Sequence, residues 1–254
     1  MKQNIYDNDQ FFQGYEAIRA RENNYNNLLE QPNFIALVPN LTDKVVLDIG
    51  CGMGDFASYC ITNGAKQVTG IDISANMISK AKLRHTHEGL YFKNSAVEDL
   101  NIPIGEVDFI SSSLAFHYVA DFTTLMKKIS AGLCDEGTLL FSIEHPISTA
   151  NKGGVDWPVD EAGNLLHFAI DRYQQEGMRT LNWLVDNVIM YHRTLSTILN
   201  TLIEHGLQIE KIVEPTPTNE AIEKLPSIQK EFRRPSFLIV RAKKISSNIE
   251  GESE

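Results

Sequence analysis

The stretch that decides the fold is Val45-Val46-Leu47-Asp48-Ile49-Gly50-Cys51-Gly52-Met53-Gly54-Asp55. Its apolar first half predicts a buried strand, which leads directly into three glycines at alternate positions. Glycine lets the backbone turn sharply and lets a ligand approach where a Cβ would collide. Between a strand and a helix, such a loop is typical of the floor of a nucleotide-cofactor site.

The glycines alone do not decide which cofactor binds. Read from Gly50, the dinucleotide pattern G-x-G-x-x-G fails because Asp55 occupies the third glycine position. Read two residues later, the segment Gly52–Ala57 fits the relaxed pattern, and Asp72 lies at about the spacing of a ribose-binding acid. The glycine spacing is therefore compatible with a dinucleotide.

The acidic residues around the glycines favour a different ligand. Asp48 lies at the buried end of a central strand, where a carboxylate is costly unless a cationic or donor-rich group meets it. The pyrophosphate of a dinucleotide would be repelled by both Asp48 and Asp55. A ligand with an ammonium group and a sulfonium, and without phosphate, suits these surroundings.

Four segments, in order along the chain, resemble the motifs of class I S-adenosylmethionine (SAM)-dependent methyltransferases. Asp48–Gly54 resembles their first motif, and Gly70–Ser74 resembles the second-strand motif, whose acid binds both ribose hydroxyls. Ser95–Leu100 falls where the family often has Gly-Asp-Ala-Glu-x-Leu beside the adenine. Asp108–Tyr118 resembles the fourth strand and the loop after it. The resemblance covers roughly residues 40 to 145.

Three later segments are similar to a small-molecule subgroup related to the quinone-biosynthesis methyltransferases. They are Glu144-His145-Pro146, Tyr191-His192-Arg193 and Arg234-Pro235-Ser236-Phe237. The family resemblance implies SAM as the cofactor and a small-molecule methyl acceptor, and it requires no metal.

The alternation of strands and helices in the first half predicts parallel βαβ units. Together with the resemblance, it implies an α/β fold with a Rossmann-like, doubly wound, seven-stranded sheet that is mostly parallel. The last strand is expected to run antiparallel, hairpinned to the strand before it. The predicted strands are Val45–Ile49, Gln67–Asp72, Leu90–Lys93, Val107–Ser112, Thr138–Ile143, Leu207–Glu214 and Ser236–Ala242.

We divide the chain into five segments on this basis. They are an N-terminal helical lid (1–40), the SAM-binding core (41–145), an inserted substrate cap (146–191), the final helix and strands of the core (192–244) and a disordered acidic tail (245–254). The insertion is predicted to be irregular. Its aromatic residues either line a pocket over the cofactor or fill a satellite core: Trp157, His167, Phe168, Tyr173 and Trp183.

The carboxyl ends of the parallel strands open on one edge of the sheet, where ligands bind. Ala96 stands where many relatives carry an aspartate that accepts from the adenine amino group, so backbone groups of Ala96 and Val97, or Glu98, would replace it. Tyr15 or Arg19 either pairs with the SAM carboxylate or lies on a plain amphipathic helix. The predicted cofactor-binding residues are Asp48, Gly50, Gly52, Gly54, Asp72, Ile73, Ala96, Val97, Ser113, Tyr15 and Arg19.

A base would assist methyl transfer if the acceptor is a hydroxyl, a phenol or an acidic carbon, and histidine is the usual choice near neutral pH. Three histidines fall on elements predicted near the open edge: His117, His145 and His192. His117, in the loop after the fourth strand, is the first candidate. A structural role for its ring is an equally open alternative.

Composition narrows the functional classes further. The 254 residues carry a formal net charge of −10, with a pI near 5.2, and this acidity argues against a nucleic-acid substrate. No apolar run approaches the roughly 20 residues that span a bilayer, and three cysteines give no disulfide framework or metal spacing. We expect a cytoplasmic protein, monomeric or homodimeric, with no nucleic-acid or membrane partner.

Three functional hypotheses follow from the sequence. The first is a methyltransferase that moves the sulfonium methyl to a small molecule by in-line displacement. The second is a non-catalytic SAM-binding sensor or partner protein, and the third is an NAD(P)-dependent oxidoreductase. The sequence leaves the acceptor and the methylated atom open.

Overall fold

Nine strands form two sheets in the computed structural model, which describes residues 4–153 and 156–246. In chain order they are β1 (Val45–Ile49), β2 (Gln67–Asp72), β3 (Leu90–Asn94), β4 (Val107–Ser113), β5 (Leu133–Glu144), β6 (Gly177–Trp183), β7 (Val185–His192), β8 (Leu207–Val213) and β9 (Phe237–Lys244). The larger sheet has seven strands in the order β3-β2-β1-β4-β5-β9-β8. Strands β6 and β7 form the second sheet.

The seven-stranded sheet is parallel through its first five strands. Strand β1 pairs with β2 on one side and β4 on the other, which places Asp48 beside Gly70 and Ser111. Strand β9 runs antiparallel to both β5 and β8. The predicted Rossmann-like sheet with an antiparallel last strand is therefore confirmed, although residues 214–236 separate β8 from β9 and the two do not form a tight hairpin.

Helices cover both faces of this sheet and the open edge. They are α1 (Asp9–Arg19), α2 (Gln31–Ile35), α3 (Asp55–Thr62), α4 (Ala75–Arg84), α5 (Phe122–Gly132), α6 (Pro146–Thr149), α7 (Leu195–Glu204) and α8 (Asn219–Lys224), with a π-helical segment, Asn26–Glu30, before α2. Side-chain caps begin two of them, because the side chains of Ser74 and Asp121 accept from backbone N–H groups in the first turns of α4 and α5.

The core consists of two apolar layers, one on each side of the sheet. Successive strand residues point to opposite faces, so Ile110 packs in the layer that contains α5 and α7, and Phe109 packs in the layer that contains α2 and α3. Both side chains are fully buried. This packing fixes the strands, and with them the positions of the polar residues at their carboxyl ends.

The insertion differs from its predicted irregular course. Strands β6 and β7 form an antiparallel hairpin that turns at Leu184, whose φ is 61°. The prediction was wrong here because the strand pattern is hidden by a buried cation. Arg179 is 3% exposed on the inner face of β6, where its Nε donates to the carbonyl of Ala150 at 3.0 Å.

Ile245 and Ser246 are hydrogen-bonded to Gly206 and Glu136, whereas residues 247–254, the rest of the predicted acidic tail, lie outside the described residues. No helix within residues 4–153 and 156–246 combines the length and apolar character that a bilayer crossing requires.

Candidate active site

A cavity of about 390 Å³ opens at the carboxyl edge of the large sheet. The ends of β1 and β2 and the glycine loop form its floor. The N-terminal segment, including α1, lies on a second side, and the β4–α5 loop, the end of β5 and the β6–β7 hairpin complete the wall. All strand ends that the sequence singled out therefore meet around one space.

The glycine loop and the acid at the end of β2 hold one another in place. The N–H of Gly52 donates to Oδ2 of Asp72 at 3.0 Å, and the N–H of Ser74 donates to Oδ1 at 2.8 Å. Gly50 has a φ of 73°, and a Cβ there would lie 2.5 Å from the Cβ of Ala115. Burial raises the pKa of Asp72. Each of its oxygens retains a lone pair for a ligand hydroxyl.

Asp48 presents a buried carboxylate with one unsatisfied oxygen. Its side chain lines the cavity and is 2% exposed, and Oδ1 accepts from the hydroxyl of Ser111 at 2.9 Å. Among the described residues, nothing donates to Oδ2. Burial, with a smaller contribution from the charge of Asp72, raises the pKa of Asp48 to about 7. A cationic donor bound in the cavity would satisfy this oxygen.

The charge around the cavity is strongly one-sided. Of the described lining residues, Arg19 is the one with a fixed positive charge. The acidic side chains in the wall are Asp48, Asp55, Asp72, Glu98 and Glu144. A sulfonium nucleoside with an ammonium group fits this arrangement, because its positive charges meet carboxylates. A pyrophosphate placed at the start of α3 would face Asp55, which lies in the first turn of that helix.

Most of the predicted cofactor-binding residues meet at this cavity. Those in its wall are Asp48, Gly50, Gly52, Asp72, Ile73, Val97, Ser113, Tyr15 and Arg19. Gly54 and Ala96 do not line it. A Cβ at Gly54 would lie 2.6 Å from Phe92, so this glycine serves the close packing of the loop against β3. Ala96 is 8% exposed, and its neighbours on both sides reach the cavity instead.

A buried carboxylate behind the cavity wall was missed by the sequence analysis. Glu30, which is fully buried, accepts from the hydroxyls of Ser113 at 2.9 Å and Ser142 at 2.5 Å, and from the amide of Gln31 at 2.8 Å. Ser113, whose hydroxyl is engaged in this way, lines the cavity. No local pattern marks Glu30, since its partners come from β4 and β5.

His117 lines the cavity, but its surroundings make it a weak base. The ring is 4% exposed, and Nδ1 accepts from the backbone N–H of Glu144 at 3.4 Å. Burial, reinforced by the positive charge of Arg193, lowers the pKa of His117 to about 3. The ring is therefore neutral at physiological pH, and its Nδ1 is occupied.

The other two candidate histidines do not reach the cavity. Nε2 of His145 lies 2.8 Å from a carboxylate oxygen of Glu214, and its Nδ1 accepts from the N–H of Ile147 at the start of α6. His192 is fully buried at the end of β7, between the hydroxyl of Thr149 and the carbonyl of Tyr173. The structure thus gives neither ring access to a ligand in this cavity.

Glu144 is a better candidate for the base at this cavity than any of the three histidines. Its carboxylate lines the cavity at the end of β5, and no described residue forms a hydrogen bond or an ion pair with it. Burial raises the pKa of Glu144 to about 7, opposed by the positive charge of Arg234. The sequence carried a signal for Glu144, because this acid directly follows the predicted fifth strand. The base role was nevertheless assigned to the neighbouring His145.

Aromatic side chains roof the cavity from two directions. The hydroxyls of Tyr6 and Tyr118 are hydrogen-bonded to each other, and the Tyr6 ring packs edge-on against Tyr15 at 5.1 Å. Trp183, at the hairpin turn, packs edge-on against Phe11 at 5.2 Å. These five residues form what we call the aromatic roof. Of the aromatic residues singled out in the insertion, Trp183 lines the cavity, whereas Trp157, Phe168 and Tyr173 lie elsewhere.

Comparisons with known proteins agree with this architecture. Seven strands in this order, with a glycine loop and acids at the ends of β1 and β2, define a Rossmann-like methyltransferase, and the sequence profile of a methyltransferase domain matches residues 47–141. A SAM-dependent methyltransferase of Mesorhizobium loti superposes with a TM-score of 0.80 at 35% identity, covering 85% of this chain and 97% of that one. A Listeria monocytogenes protein assigned to the same class superposes with a TM-score of 0.81 at 40% identity and the same coverage.

A Haemophilus influenzae protein without an assigned function is 35% identical to this chain, in an alignment that covers 96% of this chain and 98% of that protein. The chain belongs to the family of SAM-dependent methyltransferases, and SAM is the cofactor of that family.

Proposed function

We propose that this protein transfers a methyl group from SAM to a small organic acceptor inside the cavity at the sheet edge. The observation that carries the proposal is the buried, unpaired Oδ2 of Asp48 above the glycine loop, in a cavity lined by acids. When bound, SAM supplies a sulfonium methyl that a nucleophile displaces in line. The chain's own residues must then bind, orient and shield the reactants.

Three residues would hold the cofactor by complementary charge and hydrogen bonding. Asp72 accepts from the ribose hydroxyls with the lone pairs that Gly52 and Ser74 leave free. Asp48 accepts from the ammonium group through Oδ2. Arg19, which has no hydrogen-bond or ion-pair partner among the described residues, pairs with the carboxylate. Each assignment pairs a group of the ligand with a side chain of complementary charge or hydrogen-bonding capacity in the wall.

The order of the strands separates the two substrates. Asp72 ends β2, Asp48 lies in the adjacent β1, and Glu144 ends β5 on the far side of β4. A cofactor anchored at β2 and β1 would leave the end of β5 and the β6–β7 hairpin for the acceptor. We therefore assign the acceptor to the half of the cavity lined by Glu144, Tyr118 and Trp183.

The aromatic roof would exclude water and orient the acceptor. Holding a nucleophile and an electrophile in line is worth roughly 7–11 kcal/mol of the barrier when the geometry is tight. Segments 1–40 and 146–191 supply the roof residues outside the core, in keeping with the lid and cap expected from the sequence. Apart from Glu144, this half is apolar and aromatic, which suits a small organic acceptor.

His117 would position Glu144 rather than take up a proton itself. A ring with a pKa of about 3 holds a proton too weakly to serve as a base near neutral pH. Its Nδ1, however, fixes the peptide N–H of Glu144. The base role predicted for His117, His145 and His192 thus gives way to a role for the acid that His117 contacts.

Incubation of the protein with methyl-labelled SAM and a metabolite extract tests the proposal. The expected result is label in one or a few small molecules, together with S-adenosylhomocysteine (SAH) as co-product. Binding of SAM without any label transfer would instead support the non-catalytic sensor, and absence of SAM binding would refute the assignment.

A further inference from the structure

Glu144 is the feature of the acceptor side that most restricts the acceptor. Its carboxylate faces the cavity, and no described residue donates to it. The neighbouring backbone is fixed, because the N–H of Glu144 donates to His117 and the carboxyl end of β5 pairs with β9 through Phe237. A fixed carboxylate with free lone pairs in a mostly apolar wall is costly unless the ligand supplies a hydrogen-bond donor to it.

The cations near Glu144 are already engaged. The guanidinium of Arg193 donates to the carbonyls of Val119 and Ala120. Arg234 donates to the hydroxyls of Ser148 and Ser236, each at 2.7 Å. Neither arginine lines the main cavity. A carboxylate or phosphate on the acceptor would therefore face Glu144 with neither of these arginines in the cavity wall to bind it.

Aromatic rings line the acceptor side of the cavity together with Glu144. Tyr6, Tyr118, Tyr191 and Trp183 all line the cavity with Glu144. The negative faces of such rings attract ammonium groups, and the attraction strengthens where water is excluded. A carboxylate beside several aromatic rings is a combination that recognises an organic cation, whereas a neutral hydroxyl would leave the charge of Glu144 uncompensated.

We propose that the methyl acceptor is a primary or secondary amine on an apolar body, bound as an ammonium ion by Glu144 and the aromatic rings. This proposal rests on the proposed function. Glu144 takes one N–H proton, which frees the nitrogen lone pair to form the N–CH₃ bond as the methyl–sulfur bond breaks. The sulfur keeps the bonding pair, so the co-product is neutral, and Glu144 later returns its proton to solvent.

A matched set of three probes tests this selection with SAH bound. They are 2-phenylethylamine, 2-phenylethanol and 3-phenylpropionate, which share the ring and differ in the terminal group. By calorimetry, the protein–SAH complex should bind the amine more tightly than the alcohol and the acid. Glu144→Gln should weaken amine binding by about tenfold or more, because a buried charge pair is lost, and should leave alcohol binding unchanged.

The control is Glu214→Gln, which removes an acid that contacts His145 outside the cavity. It should leave all three affinities as they are in the unchanged protein. Equal SAH affinity in all proteins shows that each variant is folded and that the cofactor site is intact. A failure of the proposed function would be seen separately, as absent SAH binding or as an extract in which no small molecule takes up label.

Two outcomes overturn the proposal. One is a complex that prefers the alcohol or the acid, or a Glu144→Gln variant that binds the amine as tightly as the unchanged protein. The other comes from the labelled extract, where mass spectrometry should locate the label on nitrogen. Label carried by oxygen or carbon alone refutes the amine assignment.

Discussion

The N–H of Gly52 donates to Oδ2 of Asp72 at 3.0 Å, and this bond joins the loop after β1 to the acid that ends β2. A second bond, from the N–H of Ser74 to Oδ1, fixes the other oxygen at 2.8 Å. The acid is thus oriented before any ligand arrives. These two bonds make the floor of the site rigid. Because pre-oriented groups lose little entropy when a ligand binds, this rigidity favours binding.

Replacement of Asp72 tests this floor. Asp72→Asn removes the negative charge and one acceptor oxygen, so binding of SAH should weaken by about tenfold or more. Isothermal calorimetry measures the change. Asp171→Asn is the matched control, since that carboxylate is 80% exposed and lies outside the cavity. Equal SAH affinity in Asp72→Asn and the control would remove Asp72 from the cofactor site.

Asp48 should destabilise the ligand-free protein above neutral pH. Its folded-state pKa of about 7 lies above the value in the unfolded chain. Stability that depends on the protonated acid is therefore lost as the pH rises from about 4 to about 7. Asp48→Asn has no titrating acid at this position and does not undergo this loss. At pH 8 we expect its free energy of unfolding to exceed that of the unchanged protein by about 1–2 kcal/mol.

Denaturant titrations at pH 8 and pH 5 measure that difference. The gain from Asp48→Asn should shrink at pH 5, where the folded protein keeps the acid protonated. Glu144, whose pKa is also raised to about 7, is present in both proteins and cancels in the comparison. A gain that is the same at both pH values would contradict the assignment. The same variant should bind SAM more weakly, because the ammonium loses its charged partner.

His117→Ala should lower turnover and leave cofactor binding nearly intact. Loss of Nδ1 releases the peptide N–H of Glu144, and misplacement of a reacting group reduces the rate by about 10- to 100-fold. The measurement is turnover of the acceptor found by isotope labelling, alongside SAH affinity. His117→Asn, whose side-chain oxygen still accepts, should recover part of the rate. Unchanged turnover in His117→Ala would remove this residue from the mechanism.

The two tryptophans offer a test of the aromatic roof. Trp183 lines the cavity, whereas Trp157 packs against Phe168 at 5.2 Å and beneath the guanidinium of Arg233. Addition of 2-phenylethylamine to the protein–SAH complex should therefore change the fluorescence of Trp183. The signal should persist in Trp157→Phe and disappear in Trp183→Phe. A signal that follows Trp157 instead would show that the hairpin turn does not cover the acceptor.

The local features of the fold could be predicted because they are encoded in short segments. The strand from Val45 to Ile49 and the glycine loop depend on neighbouring residues, and both were confirmed. The hairpin of β6 and β7 was missed because a buried arginine, satisfied by Ala150 and Gln175, interrupts its apolar pattern.

The candidate site could be predicted only in part, since side-chain direction depends on tertiary packing. The sequence placed both Glu144 and His145 at the end of the fifth strand. Neighbouring residues of an extended chain point to opposite sides, and the structure shows that Glu144 faces the cavity while His145 turns to Glu214. Tyr6 and Trp183 are far apart along the chain, so the sequence did not show that they belong to one roof.

Competitive calorimetry with SAM, SAH and NAD⁺ tests the central claim most directly, which is that the acidic crevice between β1 and β2 receives a cationic adenosine compound without phosphate. We predict that SAM and SAH bind at one site, that Asp72→Asn weakens both, and that NAD⁺ neither binds nor competes. Preferential binding of NAD⁺, or SAM binding that is indifferent to Asp72 and Asp48, would contradict this account.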